Sequence, residues 1–141
     1  QMTEIRRLEW GHDGTYLLAG GIGADGRKGL FRIDPATGSA SFLMGPLGLD
    51  GSAYFNTFVV SNDGATVYYQ NGQGKLVAHT LASGQEKVLY QDFQRVPNLR
   101  LSRDGSRLAV RSGGFLGVLN LASGEMKQLY LRDFATDNNV M

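Results

Sequence analysis

Cysteine is absent from the 141 residues. Disulfides and thiolate metal sites are therefore excluded, while the compartment stays open, because many secreted and many cytosolic domains lack cysteine. No apolar run approaches the ~18 residues of a membrane-spanning helix. There is no basic run of the kind nucleic-acid binding needs, and no acidic tail. Lys and Arg number 14 against 13 Asp and Glu, a net charge of +1. The first ten residues, QMTEIRRLEW, lack the apolar centre of a signal peptide. Gly-x-Ser-x-Gly and P-loop motifs are missing, as is any His-x-His pair. No catalytic residue, cofactor or metal site is expected.

Glycine, by contrast, is abundant: 20 of 141, about twice the usual share of ~7%. The glycines are scattered without a collagen period, which indicates many tight turns. The hydrophobic fraction of 42% is enough for a folded core.

An internal repeat organises the chain. Asp-Gly occurs at 13–14, 63–64 and 104–105, each just before an apolar run: TYLLAG, ATVYYQ and SRLAVR. A second mark follows each one: IDPATG at 33–38, TLASG at 80–84 and NLASG at 120–124. The spacing from the first glycine to the second is 24, 20 and 19 residues. A third mark closes each unit: SFLMG, KVLYQ and KQLYL. The second and third units are offset by 41 residues at Asp-Gly and 40 at LASG. The first unit is longer, through residues 20–29 and 45–54.

Each unit reads as four short strands separated by turns. Leu99-Arg100-Leu101 and Leu8-Glu9-Trp10 alternate apolar and charged residues, the period of a strand. The runs are rich in Val, Tyr, Phe and Leu, and are bounded by Gly, Asp, Asn and Ser. Asp-Gly suits a tight hairpin, with Gly left-handed and the carboxylate accepting backbone N–H groups. SGQEKVLYQDF has a rival helical reading, with Ser83 and Glu86 at capping-box spacing and Leu89 and Phe93 four apart. Its counterparts GSASFLMG and GEMKQLYL favour a strand. GGIGADG is read as a hairpin loop rather than a phosphate cradle, because a strand and not a helix follows it.

Four antiparallel strands per ~40 residues is the period of a propeller blade. From about Leu8 to Tyr130 the chain resembles the TolB-like and WD-like bacterial β-propellers, whose blades carry Ser-Pro-Asp-Gly, a strand, then an Asp-Leu-x-x-Gly turn. Here Gly-His, Ser-Asn and Ser-Arg stand before Asp-Gly, without the proline. The Trp-Asp dipeptide of WD repeats and the Asp-x-Gly spacing of the sialidase Asp-box are also missing. The resemblance implies an all-β fold: a single partial β-propeller over 1–141, built of three four-stranded antiparallel blades. The blades are placed at about 5–45, 55–91 and 96–131, with the start of a fourth at 132–141. DFQRVPNLRL at 92–101 lines up with DFATDNNVM at 133–141, so the chain is expected to be a segment of a longer propeller. Two three-blade copies closing a six-blade ring are the alternative, and open blade edges offer a route to self-association.

In such a fold the Asp-Gly and ATG/ASG turns share one rim. The other rim carries the longer, unequal connections at 20–29, 45–56, 71–75, 91–98 and 131–139. Function is expected there, since variable loops on a rigid scaffold carry it most often. Polar and aromatic residues on that rim include Arg27, Lys28, Asp50, Gln94, Asp133 and Asp137. The candidate ligand-binding set is Tyr54, Asn56, Asp92, Arg95 and Asn98. His12 reads as an exposed turn residue, and His79 as a third-strand residue with no convergent partner. The three Asp-Gly aspartates read as turn formers, and Trp10 as core between blades.

The resemblance implies a non-enzymatic module that binds a protein or small ligand at the long-connection rim, with no nucleic acid and no membrane insertion. It favours a periplasmic or extracellular location. Two alternatives remain: the propeller part of an enzyme (lyase, lactonase or prolyl-oligopeptidase-like peptidase), and a sensor or receptor ectodomain.

Overall fold

The computed structural model describes residues 1–45, 58–71, 73–91 and 98–131. Twelve strands fall into three four-stranded antiparallel sheets, each a meander in chain order. The first sheet holds β1 (Met2–Trp10), β2 (Leu17–Gly23), β3 (Lys28–Ile33) and β4 (Ala40–Met44). The second holds β5 (Phe58–Val60), β6 (Thr66–Gln70), β7 (Leu76–Thr80) and β8 (Glu86–Tyr90). The third holds β9 (Asn98–Leu101), β10 (Arg107–Ser112), β11 (Phe115–Asn120) and β12 (Met126–Leu131). No helix occurs among the described residues, and within SGQEKVLYQDF the residues Glu86–Tyr90 form β8.

The Asp-Gly turns close as the residue types dictate. Gly14, Gly64 and Gly105 have φ of 73°, 75° and 76°, a left-handed conformation that costs a residue with a Cβ ~1–2 kcal/mol. Asp63 Oδ1 accepts the Ala65 N–H at 3.0 Å and the Ser61 hydroxyl at 2.6 Å. Ser61 Oγ in turn accepts the Thr66 N–H at 3.0 Å. Asp104 repeats this with Ser106 N–H at 3.0 Å and Ser102 hydroxyl at 2.7 Å. The repeat extends to irregularity: the pairing of third and fourth strands slips at Leu30/Phe31, Leu76/Val77 and Leu116/Gly117, equivalent positions in the three sheets.

The sheets stack face to face. Leu18, Leu30 and Met44 of the first sheet pack against Phe58, Val67, Tyr69 and Val77 of the second. The other face of the second sheet, with Val59 and Leu76, packs against Leu99, Leu108, Val110 and Leu119 of the third. The middle sheet is thus apolar on both faces, with Val67, Leu76 and Val77 at 0% exposure. Each such side chain contributes about 1.5–3 kcal/mol when removed from water.

Two expectations are corrected here. Trp10 is 61% exposed and Leu8 54% exposed, so Trp10 is not core between blades. The pairs Trp10↔Leu17 and Leu8↔Ala19 match Val60↔Val67 and Phe58↔Tyr69 in the second sheet, and Leu101↔Leu108 and Leu99↔Val110 in the third. In those two sheets this face meets the preceding sheet. Among the described residues nothing precedes the first sheet, so the same position is left in water.

The second correction concerns residues 20–29, which are mostly strand. β2 runs through Gly23 and β3 starts at Lys28, leaving only four residues between them. Gly21 is required where it stands: a Cβ there would lie 2.0 Å from the Glu4 carbonyl oxygen on the neighbouring β1. The glycines that read as a loop instead let two long strands approach closely.

Candidate functional site

Sequential meander topology places the Asp-Gly turns and the β3–β4, β7–β8 and β11–β12 turns at one end of every sheet. The β2–β3, β6–β7 and β10–β11 connections lie at the other end. Of the five candidate ligand-binding residues, Asn98 is described; it opens β9 at the long-connection end and is exposed. Tyr54, Asn56, Asp92 and Arg95 lie outside the described residues, as do Asp50, Gln94, Asp133 and Asp137. Lys28 belongs to β3. Arg27 holds Asp25 Oδ2 at 2.6 Å, with its guanidinium 4.4 Å from the centre of the Phe42 ring.

Asn98 has company the sequence reading did not foresee. It lines a cleft of about 350 Å³ with Arg7, Arg100, Arg111, Leu99 and Leu116. Register explains the gathering. Arg111 sits directly opposite Asn98, and Ala109 opposite Arg100, so Arg100 and Arg111 are diagonal neighbours on one face. Such positions are roughly 7–8 Å apart. Arg7 joins them from β1 of the first sheet, in the slot of its strand that Asn98 fills in β9. The guanidinium of Arg7 bonds Glu9 and lies 5.6 Å from the centre of the Phe58 ring. Its Nε is buried without a hydrogen-bond partner. Among the described residues Arg100 and Arg111 form no ion pair.

The short-turn end also forms a cleft, of about 290 Å³, lined by Glu9, Trp10, His12, Asn62 and Arg103 among others. His12 is exposed, as expected. Yet the three slots before the Asp-Gly aspartates, His12, Asn62 and Arg103, line one opening because the three sheets are stacked around it. Asn62 Nδ2 donates to the Arg103 carbonyl at 3.1 Å, tying the second sheet to the third. The signal for this was present in the repeat: equivalent positions of stacked units converge.

His79 lies in β7, the third strand of its sheet, as expected, and has two side-chain neighbours there. Its Nδ1 is 2.9 Å from Glu86 Oε2, and the Tyr69 hydroxyl donates to that same oxygen. The Tyr69 and His79 ring centres are 6.3 Å apart. Burial, with the Glu86 carboxylate second, pushes the Tyr69 phenol well above its ordinary range. The cluster links β6, β7 and β8 across one sheet face. Among the described residues no group of three or more His, Asp or Glu is placed to hold a metal ion, and no helix is long and apolar enough to cross a membrane.

No protein-family model matches the chain, and no curated protein matches it. Solved structures do. TolB from Acinetobacter baumannii superposes with a TM-score of 0.67 at 16% identity, over 90% of this chain and 32% of that one. An oligogalacturonate lyase in complex with manganese gives 0.61 at 21% identity, over 84% of this chain and 37% of that one. U3-55K gives 0.64 at 14% identity, over 92% and 40%. The chain spans about a third of the length of these structures. Its three stacked four-stranded sheets are blades of an all-β partial propeller, with the fold of the TolB-like and WD-like β-propellers.

Proposed function

We propose that this chain is a non-enzymatic binding module, part of a larger propeller, that takes a protein or small ligand at its long-connection end. The observation that carries this reading is the convergence of Asn98 with Arg7, Arg100 and Arg111 in one cleft at that end. Scaffold strands supply rigid positions there, and the unequal connections supply variety. The half-exposed Leu8 and Trp10, at positions packed between sheets in the other two units, favour a further blade beside the first sheet. Tyr54, Asn56, Asp92 and Arg95 are proposed to complete the rim. Tyr54→Ala and Arg95→Ala are expected to weaken ligand-induced thermal stabilisation without lowering the melting temperature of the free protein. Ser83→Ala, at the short-turn end, is expected to leave it unchanged. The opposite pattern would place binding at the other end.

A second reading, the propeller part of an enzyme, is favoured by the oligogalacturonate lyases among the similar structures. Degradation of oligogalacturonate by the purified chain, abolished by Arg100→Gln, would replace the first reading with this one.

A further inference from the structure

A groove of about 550 Å³ runs between the second and third sheets on the outer side of the stack. Thr66 and Tyr68 of β6, Ala78 of β7, Glu86 and Lys87 of β8, and Leu121 beyond β11 are among its lining. Both walls belong to sheets already stacked on one another, so a further blade at either end of the stack leaves the groove open.

The repeat shows what is missing from it. Register equates the pair Tyr68↔Ala78 with Leu18↔Arg32 of the first sheet. The Gly11 N–H donates to the Tyr16 carbonyl as the Ser61 N–H donates to that of Thr66 and the Ser102 N–H to that of Arg107, which equates Tyr16, Thr66 and Arg107. In the first sheet the Arg32 guanidinium lies 4.0 Å from the centre of the Tyr16 ring. Thr66 and Ala78 are too short to make that stack, and the space beside them is the groove. An arginine thus stands in one of these two slots in the first and third sheets, and in neither in the second. The charge pattern agrees. After hydrogen bonds from Thr15, Arg32 helps hold the Asp13 carboxyl down; after those from Ser106 and Ser102, Arg107 does so for Asp104. Asp63 is held down by hydrogen bonds, that of the Ser61 hydroxyl first, and no cation contributes. Its charge reaches the half-buried Tyr68 phenol, which is raised chiefly by burial and next by Asp63.

We propose that this groove receives an arginine side chain carried by an extended peptide of a partner protein. The contact stands apart from the long-connection rim and does not rest on it. The incoming guanidinium takes the place of the arginine that the second sheet lacks. Its plane stacks on the Tyr68 ring, and its charge meets Asp63 and Glu86. β8 is an edge strand of its sheet, so its free edge offers backbone hydrogen bonds to an added strand. Lys87 lies opposite Ala78 and forms no ion pair among the described residues. It disfavours a polybasic segment and suits a carboxylate two residues from the arginine, on the same face of the added strand.

The test uses the full chain and the end-blocked peptide Thr-Glu-Thr-Arg-Thr-Glu-Thr, read by calorimetry. Saturable binding is expected. Citrulline in place of the arginine keeps the shape and loses the charge, and is expected to weaken binding at least tenfold; lysine is expected to weaken it several-fold. Thr66→Tyr/Ala78→Arg gives the groove the pair that the first sheet has. It is expected to lower peptide affinity at least tenfold while melting no lower than the parent. If that variant does melt lower, Tyr68→Leu, which copies Leu18 of the first sheet, decides: a several-fold loss of affinity supports the proposal and full affinity overturns it. Absence of saturation, equal affinity for the arginine and citrulline peptides, or full affinity in the folded double variant would each overturn it as well.

Discussion

Single residues in this protein act mainly through hydrogen bonds to the turn beside them. Asp104 accepts from the Ser106 backbone, the Ser102 hydroxyl and the Ser106 hydroxyl, in that order of effect, and its carboxyl is drawn down to about 2 from an ordinary 3.8. Asp13 and Asp63 are lowered for the same reason, the first chiefly by the Thr15 N–H and the second chiefly by the Ser61 hydroxyl. A carboxyl whose pKa is lower folded than unfolded stabilises the fold above the unfolded value and loses that contribution as pH falls through the folded one. The melting temperature is therefore expected to decline from about pH 4 toward pH 2. Asp104→Asn should flatten that decline, as followed by circular dichroism against pH. Gly21→Ala tests a different residue-scale constraint. Its Cβ meets backbone, not a movable side chain, so a loss of about 1–3 kcal/mol in urea unfolding is expected.

At the scale of elements, each strand's contribution depends on which face it turns inward. In β11, Leu119 is fully buried between the second and third sheets, whereas Leu116 is 37% exposed on the opposite face. Leu119→Ala is expected to cost about 2–5 kcal/mol. Leu116→Ala should cost less than about 1 kcal/mol, a difference that denaturant midpoints will read directly. In the second sheet Tyr69, His79 and Glu86 bind three adjacent strands through one carboxylate. A double-mutant cycle of Tyr69→Phe with Glu86→Gln is expected to show a coupling of about 0.5–3 kcal/mol. Additivity of the two would show that the carboxylate does not join the strands energetically.

For the molecule as a whole, place in the stack outweighs residue type. Leu8 and Phe58 occupy equivalent slots on inner strands, yet Leu8 is 54% exposed and Phe58 1%. Phe58→Ala is expected to lower stability by about 3–5 kcal/mol. Leu8→Ala in the isolated chain should lower it by less than about 1 kcal/mol. The same comparison between two equivalent residues, repeated in the presence of whatever covers the first sheet, would show Leu8 rising toward the cost of Phe58. The stack also creates both clefts, since Arg7 and Asn98 belong to different sheets, as do His12, Asn62 and Arg103.

Strand positions, turn chemistry and the three-fold repeat were legible in the sequence because they depend on neighbours a few residues apart. Asp-Gly before an apolar run specifies its own hairpin, and period-two alternation specifies its own faces. GGIGADG misled because close backbone approach and a loop both call for glycine; the deciding contact, Gly21 against Glu4, is 17 residues away along the chain. Trp10 misled because its local pattern is that of its buried counterparts, and only the absence of a preceding sheet among the described residues distinguishes it. Arg100 was visible as the polar member of Leu99-Arg100-Leu101. Its meeting with Arg111 and Arg7 required cross-strand register and sheet stacking, which no local pattern carries. The sequence by itself thus determined the blades and their turns, through short-range sterics and hydrogen bonding. The tertiary structure alone decided which faces are covered and which charges converge, because burial and electrostatics act through space.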